Sequence, residues 1–154
     1  MIVNSPFGTD AKAFAFTYHK EEMQAIIDRV PDNTKVAVIS VVGAFRTGKS
    51  FLLSFFLRYL AYLEKNENEE TAGKNWYDNI KSLGNDGFHW AGGKERNTTG
   101  IWIWSHPYLL KERNLAILLV DTQGMFDNET TMTLTSSIFG LSTLLSSYQI
   151  FNSK

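Results

Sequence analysis

The sequence predicts an α/β fold, a three-layer sandwich with a mostly parallel sheet between helices. Three observations carry this. Lys35 to Val42 is a short, nearly continuous apolar run rich in Val and Ile, which suits a strand covered on both faces. Phe51 to Glu64 is apolar nearly all round, with Arg58 as its one early charge, and is long enough for a buried helix. Between them, Gly43 to Ser50 spells G-x-x-x-x-G-K-S, a glycine loop that joins a strand to a helix around a phosphate.

The remaining elements follow in chain order. Met23, Ile26, Ile27 and Val30 make one face of a short helix over Glu21 to Val30, which Pro31-Asp32-Asn33 ends. After the phosphate loop and its helix, Glu64 to Asn75 turns polar and mostly acidic, as a solvated loop does. Trp76 to Leu83 suits a short helix. Gly84 to Gly100 is too irregular for either period. Ile101 to Trp104 and Leu115 to Val120 are strands, and the short link through Pro107 and Lys111 to Asn114 suggests an antiparallel hairpin. Leu134 to Leu145 is a helix and Tyr148 to Phe151 a last strand. Thr130 to Ser153 carries no charge and is about as long as a membrane span. Its many serines and its strand-like end favour a helix followed by a buried strand instead.

Composition bounds the function. The 154 residues suffice for one domain with a real core. With 44% hydrophobic and 20% charged residues, the chain is an ordinary globular mixture rather than a disordered one. Fifteen Lys and Arg against sixteen Asp and Glu give a net charge of −1, so no basic surface calls for nucleic acid. Cysteine is absent, which excludes a disulfide framework, a thiolate zinc site and a Cys nucleophile. The start, Met-Ile-Val-Asn-Ser-Pro, has neither the charge nor the apolar run of a signal peptide. His19, His89 and His106 lack metal-ligand spacing. Trp76, Trp90, Trp102 and Trp104 suit core or strand faces, with Trp102 and Trp104 on one face.

The chemistry concentrates at three segments. In the loop, Gly43 and Gly48 let the backbone, Thr47 included, wrap a phosphate with its N–H groups inward. Lys49 brings a positive charge to the β- and γ-phosphates, and the Ser50 hydroxyl is placed to ligand Mg²⁺. The helix through Phe51 aims its positive dipole end at the same anion. Asp121-Thr122-Gln123-Gly124 follows the second strand. Asp121 there holds Mg²⁺ through water, and the Gly124 N–H touches the γ-phosphate. Either Thr98 or Thr99, in Arg96-Asn97-Thr98-Thr99-Gly100, is the expected second Mg²⁺ ligand. Arg46 lies inside the loop, where it either neutralises charge during hydrolysis, faces solvent or pairs with a carboxylate elsewhere. Met125 stands where small Ras-like GTPases carry a water-orienting glutamine, a task it cannot perform. The phosphate loop alone leaves an ATPase or kinase open.

Four segments together resemble the atlastin branch of dynamin-related GTPases: GAFRTGKSFLL, WAGGKERNTTGIWIW, LAILLVDTQGMFD and FGLSTLLSSYQIFN. The resemblance runs from about Phe14 to Asn152. It implies a GTPase that uses Mg²⁺, dimerises through its G domain when GTP binds, and fuses tubules from the cytosolic face of the endoplasmic reticulum membrane. It implies Arg46 as a catalytic arginine finger in cis and Thr98 as the Mg²⁺-binding threonine. Gly43, Arg46, Thr47, Gly48, Lys49, Ser50, Phe51 and Gly124 are then the nucleotide-binding set, and Ser50, Thr98 and Asp121 the metal set. Ala91 departs from the arginine usual in the family's W-R-G-G. The family's guanine-reading Arg-Asp pair is expected after Asn152, so 1–154 is expected to hold about the first half of a G domain. The later strands, the helical middle domain and the membrane anchor are expected to lie outside it. The other expectation is a non-catalytic fragment with weak phosphate binding or an interaction role.

Overall fold

The computed structural model describes residues 2–6, 14–44, 47–67, 87–88, 100–125 and 132–153. The backbone runs β1 (Ile2–Pro6), β2 (Phe14–Tyr18), α1 (Lys20–Ile27), β3 (Lys35–Gly43), α2 (Lys49–Lys65), β4 (Ile101–Ile103), β5 (Tyr108–Leu110), β6 (Leu115–Thr122), α3 (Met132–Leu145) and β7 (Tyr148–Asn152). The expected helix over Trp76 to Leu83, and nearly all of the Gly84 to Gly100 stretch, lie outside the described residues.

The sheet is mixed, in the order β2-β1-β4-β6-β3-β7. Its centre is parallel. β3 pairs with β6 from Lys35↔Leu115 to Val41↔Asp121, and with β7 from Ile39↔Tyr148 to Gly43↔Asn152. The near-continuous apolar sequence of β3 follows from this position, because both of its faces are covered. Ile39 and Val41 belong to the core under α2, with Ile117 and Leu119 of β6. Val38 packs on the opposite core, with Val120 and Ile101 under α3. Helices therefore cover both faces, as the sandwich requires.

α2 buries Leu53, Leu57 and Leu60, spaced four and three residues apart, as one stripe on the sheet. Burying such a side chain is worth roughly 1.5–3 kcal/mol, so this stripe anchors the helix that carries Lys49 and Ser50. α3 buries Leu134 and Ile138. Some of its hydroxyls bond back onto the helix: Ser137 Oγ donates to Thr133 O at 2.9 Å and Thr143 Oγ1 to Phe139 O at 2.8 Å. Ser146 Oγ donates to Ser40 Oγ at 2.7 Å, tying the helix end to β3. No helix among the described residues is long and apolar enough to cross a membrane.

The expected hairpin forms, with β4 antiparallel to β6. Its link is not a plain loop, because β5 pairs along the same edge of β6. β4 and β5 are one broken strand. Ile103 opposes Val120 and Tyr108 opposes Ile117, so Trp104 to Pro107 bulge opposite Leu118 and Leu119. Pro107 has no N–H to give a ladder, and the break falls there. The N-terminal ribbon of β1 and β2 is a second addition to the sequence reading; it meets the sheet at Ile2↔Ile101. α1 stops at Ile27, three residues short of the expected Val30, and Asp28 caps it.

Candidate functional site

β3 is the strand from which the chain turns to β6 on one side, while β7 lies on the other. In open α/β sheets, ligands bind outside the carboxyl ends of the strands at such a switch point. The sequence puts its glycine loop there. Gly43 ends β3 at φ 153°, and a Cβ on it would sit 2.1 Å from the Asn152 carbonyl oxygen of β7. Only glycine lets the two backbones approach in this way. Gly48 is the N-cap of α2 at φ 81°, in the left-handed region. Leu52 N donates to its carbonyl at 2.9 Å, so the helix begins at once. The first N–H groups of a helix have no acceptor within it and point toward its N-terminal end, the arrangement that suits an anion.

Lys49 opens α2 and is only 6% exposed. Its ammonium donates to Ala44 O within the loop at 2.9 Å. Burial pushes its pKa below the ordinary lysine range, and Asp121 offsets part of that shift. Thr47 Oγ1 also donates to Ala44 O, at 3.0 Å. Ser50 Oγ donates to Asp121 Oδ2 at 2.5 Å, joining residues 71 apart in sequence. Asp121 is 1% exposed at the end of β6. Phe51 follows on the first turn, its ring stacked edge-on against Phe55 at 4.9 Å.

A hydroxyl and a carboxylate in contact, beside a buried ammonium, fit Mg²⁺. The ion takes oxygen donors, uses one or two protein carboxylates, and completes its shell with water and phosphate oxygens. Among the described residues there is no cluster of three or more His, Cys, Asp or Glu of the kind that would bind a metal by itself.

Gly124 is buried beside the loop. Met125 N donates to Gly43 O at 3.0 Å, and Ala44 and Met125 form a parallel bridge. The segment after Asp121 is thus bonded to the root of the phosphate loop. The structure brings Gly43, Thr47, Gly48, Lys49, Ser50, Asp121 and Gly124 together, with Phe51 at the margin. Arg46, Thr98, Thr99 and Ala91 lie outside the described residues. So do His89, Trp76 and Trp90. His19 meets Glu22 at 3.3 Å, and His106 meets Glu64 at 3.0 Å, both at exposed positions. Trp104 packs at the core edge, 5.3 Å from the Phe88 ring, and Trp102 is exposed.

Two residues at the site went unread in the sequence. Asn152 Nδ2 donates to Thr47 O at 2.8 Å, so the end of β7 holds the phosphate loop. Gln123, 1% exposed, accepts from Gly100 N at 3.0 Å through Oε1, while its own N donates to Gly100 O at 2.8 Å. Neither has a spacing signature. The one available signal was an amide side chain at a strand end, where backbone groups need partners.

Residues 15–154 match the family described as guanylate-binding protein, N-terminal domain. The chain is 42% identical over 144 residues to Atlastin of Drosophila melanogaster, covering 89% of this chain and 25% of that protein. It is 43% identical over 133 residues to Atlastin-1 of Mus musculus, covering 84% and 21%. It is 46% identical over 121 residues to Atlastin-3 of Homo sapiens, covering 76% and 21%. The chain thus spans a quarter or less of the length of these relatives.

Proposed function

The chain belongs to the guanylate-binding protein N-terminal-domain family of GTPases, and from that premise we propose that it binds GTP with Mg²⁺ and that its G domain transfers the γ-phosphoryl group to water. The observation that carries the reading is the Ser50–Asp121 contact at 2.5 Å, with buried Lys49 beside it, at the carboxyl ends of β3 and β6.

Each residue has a task in this reading. The loop from Gly43 to Gly48 offers its N–H groups to the β-phosphate. Lys49 exchanges the Ala44 carbonyl for phosphate oxygens, which restores the charge that burial disfavours. Ser50, Asp121 and Thr98 would hold Mg²⁺, which would supply positive charge to offset the phosphates. The Gly124 N–H meets the γ-phosphate and registers its loss. Arg46 turns over the phosphates and stabilises charge in the transition state, a role worth about 10³ to 10⁵ in rate. By the same resemblance, 1–154 is the N-terminal part of a G domain that pairs with a second copy when GTP is bound. The longer protein would then work on the cytosolic face of the endoplasmic reticulum and couple hydrolysis to membrane fusion.

One observation favours a second reading, phosphate binding without hydrolysis. Met125 is buried after Gly124 and offers no group to orient water.

Fluorescent GTP and ATP analogues, titrated with Mg²⁺ against the chain and against Lys49→Ala, test the proposal. GTP binding that prefers guanine and falls at least tenfold in the variant supports it. Equal weak binding of both nucleotides, or none, overturns it. Phosphate release then separates hydrolysis from binding alone.

A further inference from the structure

Asn152, the last residue of β7, touches the phosphate loop near both of its ends. Its backbone pairs with Gly43, where the loop begins, and comes so near that a Cβ would not fit between them. Its side chain reaches Thr47, where Nδ2 donates to the carbonyl oxygen at 2.8 Å. A carbonyl only accepts, so the N–H of the amide and not its oxygen faces Thr47. The bonded carbonyl belongs to the peptide that joins Thr47 to Gly48. A trans peptide is planar, and its C=O and N–H point opposite ways; the described residues contain no cis bond. Holding the Thr47 oxygen toward Asn152 therefore turns the Gly48 N–H away from it. This plane needs a hold. Gly48 sits at φ 81°, and a Cβ built on it would meet no described atom within 4 Å, so packing does not fix it. Leu52 N bonds the Gly48 carbonyl, which belongs to the next peptide. Turning the Thr47–Gly48 peptide over changes chiefly ψ of Thr47 and φ of Gly48, and glycine accepts either sign of φ at little cost. The glycine that lets the loop turn into α2 would by itself also let this peptide flip.

We propose that Asn152 is a positioning residue for the phosphate loop: its amide holds the Thr47–Gly48 peptide in the one orientation that aims the Gly48 N–H at the bound phosphate. The backbone of β7 fixes where the loop starts, and the side chain fixes how its last peptide faces. GDP and GTP share the β-phosphate to which the proposed function assigns these N–H groups. Asn152 therefore sets the affinity for both and does not tell them apart. The functional part of the proposal rests on the GTP reading above; the hold on the peptide does not.

The test uses the full chain and three variants. Asn152→Ala deletes the donor, Asn152→Leu deletes it but keeps the bulk, and Asn152→His restores an N–H at a similar reach. The residual dipolar coupling of the Gly48 N–H is read first, without nucleotide, because it reports the direction of that bond. It should collapse toward zero or change sign in the Ala and Leu variants and return in the His variant, with Val38 to Val42 of β3 unchanged. Affinities for GDP and for a non-hydrolysable GTP analogue are read next. Both should fall about fivefold in the Ala and Leu variants, the worth of one neutral hydrogen bond, and the His variant should recover most of the loss. An unchanged Gly48 coupling in the Ala and Leu variants overturns the hold on the peptide. Affinities that the Leu variant retains and the Ala variant loses overturn the positioning role and leave a residue that only fills space. If the wild-type chain binds neither nucleotide, the GTP reading fails by itself, and the Gly48 coupling still decides the hold.

Discussion

At the scale of single residues, the site is a set of short polar contacts whose partners are far apart in sequence. Ser50 shows what one such contact is worth. Its hydroxyl lies 2.5 Å from Asp121 Oδ2 and is also the proposed Mg²⁺ ligand. Ser50→Ala removes both functions, and hydrogen bonds to charged groups contribute about 1.5–3 kcal/mol. Nucleotide affinity in Mg²⁺ should therefore fall roughly 10- to 100-fold by titration. The part of binding that survives chelation of Mg²⁺ should change little. Tyr108 gives a residue-scale prediction about pH. Burial, with a smaller contribution from the Glu64 carboxylate, raises its phenol to about 12. The folded state thus keeps this proton where the unfolded chain, with an ordinary value near 10, has lost it. The folded state binds more protons between those values, so stability falls as pH rises from 10 toward 12. Tyr108→Phe should remove that decline, read as the difference between the two urea midpoints across the window. Lys49, Ser50, Asp121 and Gly124 were legible in sequence because phosphate and Mg²⁺ demand those residue types at fixed spacings. Gln123 and Asn152 were not. Each bonds a backbone group brought near by the sheet, and such a contact leaves no pattern along the chain.

Elements were legible where one period dominated them. β3 and α2 came through because an apolar run and an apolar helix can bury themselves in few ways. β6 emerged two residues longer than expected, through Thr122, because Asp121 and Thr122 are polar yet buried: Thr122 Oγ1 donates to Val41 O at 2.8 Å. β5 stayed hidden since three residues after a proline carry no period, and only the edge of β6 makes them a strand. The β1–β2 ribbon had no such run either, with Pro6 and Asn4 in its first strand. The junction of β3 and β7 gives the element-scale prediction. Gly43→Ala puts a Cβ 2.1 Å from the Asn152 carbonyl, backbone against backbone, with no flexible side chain to yield. β7 must then move away from the end of β3, and Asn152 with it. Overpacking of this kind costs about 1–3 kcal/mol, which for a chain of this size lowers the thermal midpoint by roughly 2–12 °C. Asn152→Ala deletes the bond to Thr47 O without the clash. It should leave the midpoint within about 3 °C while weakening nucleotide binding severalfold. Calorimetry and titration on the two variants separate the strand's packing from its hold on the phosphate loop.

For the whole molecule, the arrangement of layers determines what the sheet shows to solvent. Parallel strands are ordinarily covered on both faces, and β3 is. β7 is not. Tyr148 is 67% exposed and Phe151 60% exposed. Three residues apart on a strand, they point to opposite faces, so β7 bares an aromatic ring on each. Leu144 and Leu145, at the end of α3 next to it, are exposed as well. Among the described residues β7 pairs on one side only, with β3. An uncharged strand, YQIFN, whose outer N–H and C=O groups meet no described strand and whose rings are exposed on both faces, is a template for adding another strand. The sequence reads Tyr148 to Phe151 as a buried strand because the run carries no charge and no proline; the strand forms, but its rings at 148 and 151 stay exposed. The expected consequence is concentration-dependent association through β7, visible by light scattering. Lysine on an edge strand opposes such pairing by charge and by the cost of burying it. Tyr148→Lys with Phe151→Lys should therefore raise the concentration at which association begins by about tenfold, or roughly 1.4 kcal/mol. Both positions are solvent-exposed, so the thermal midpoint of the dilute chain should hardly move. If the doubly substituted chain associates as readily as the wild type, the contact lies elsewhere. Leu144, the most exposed large apolar side chain among the described residues, is then the next position to change.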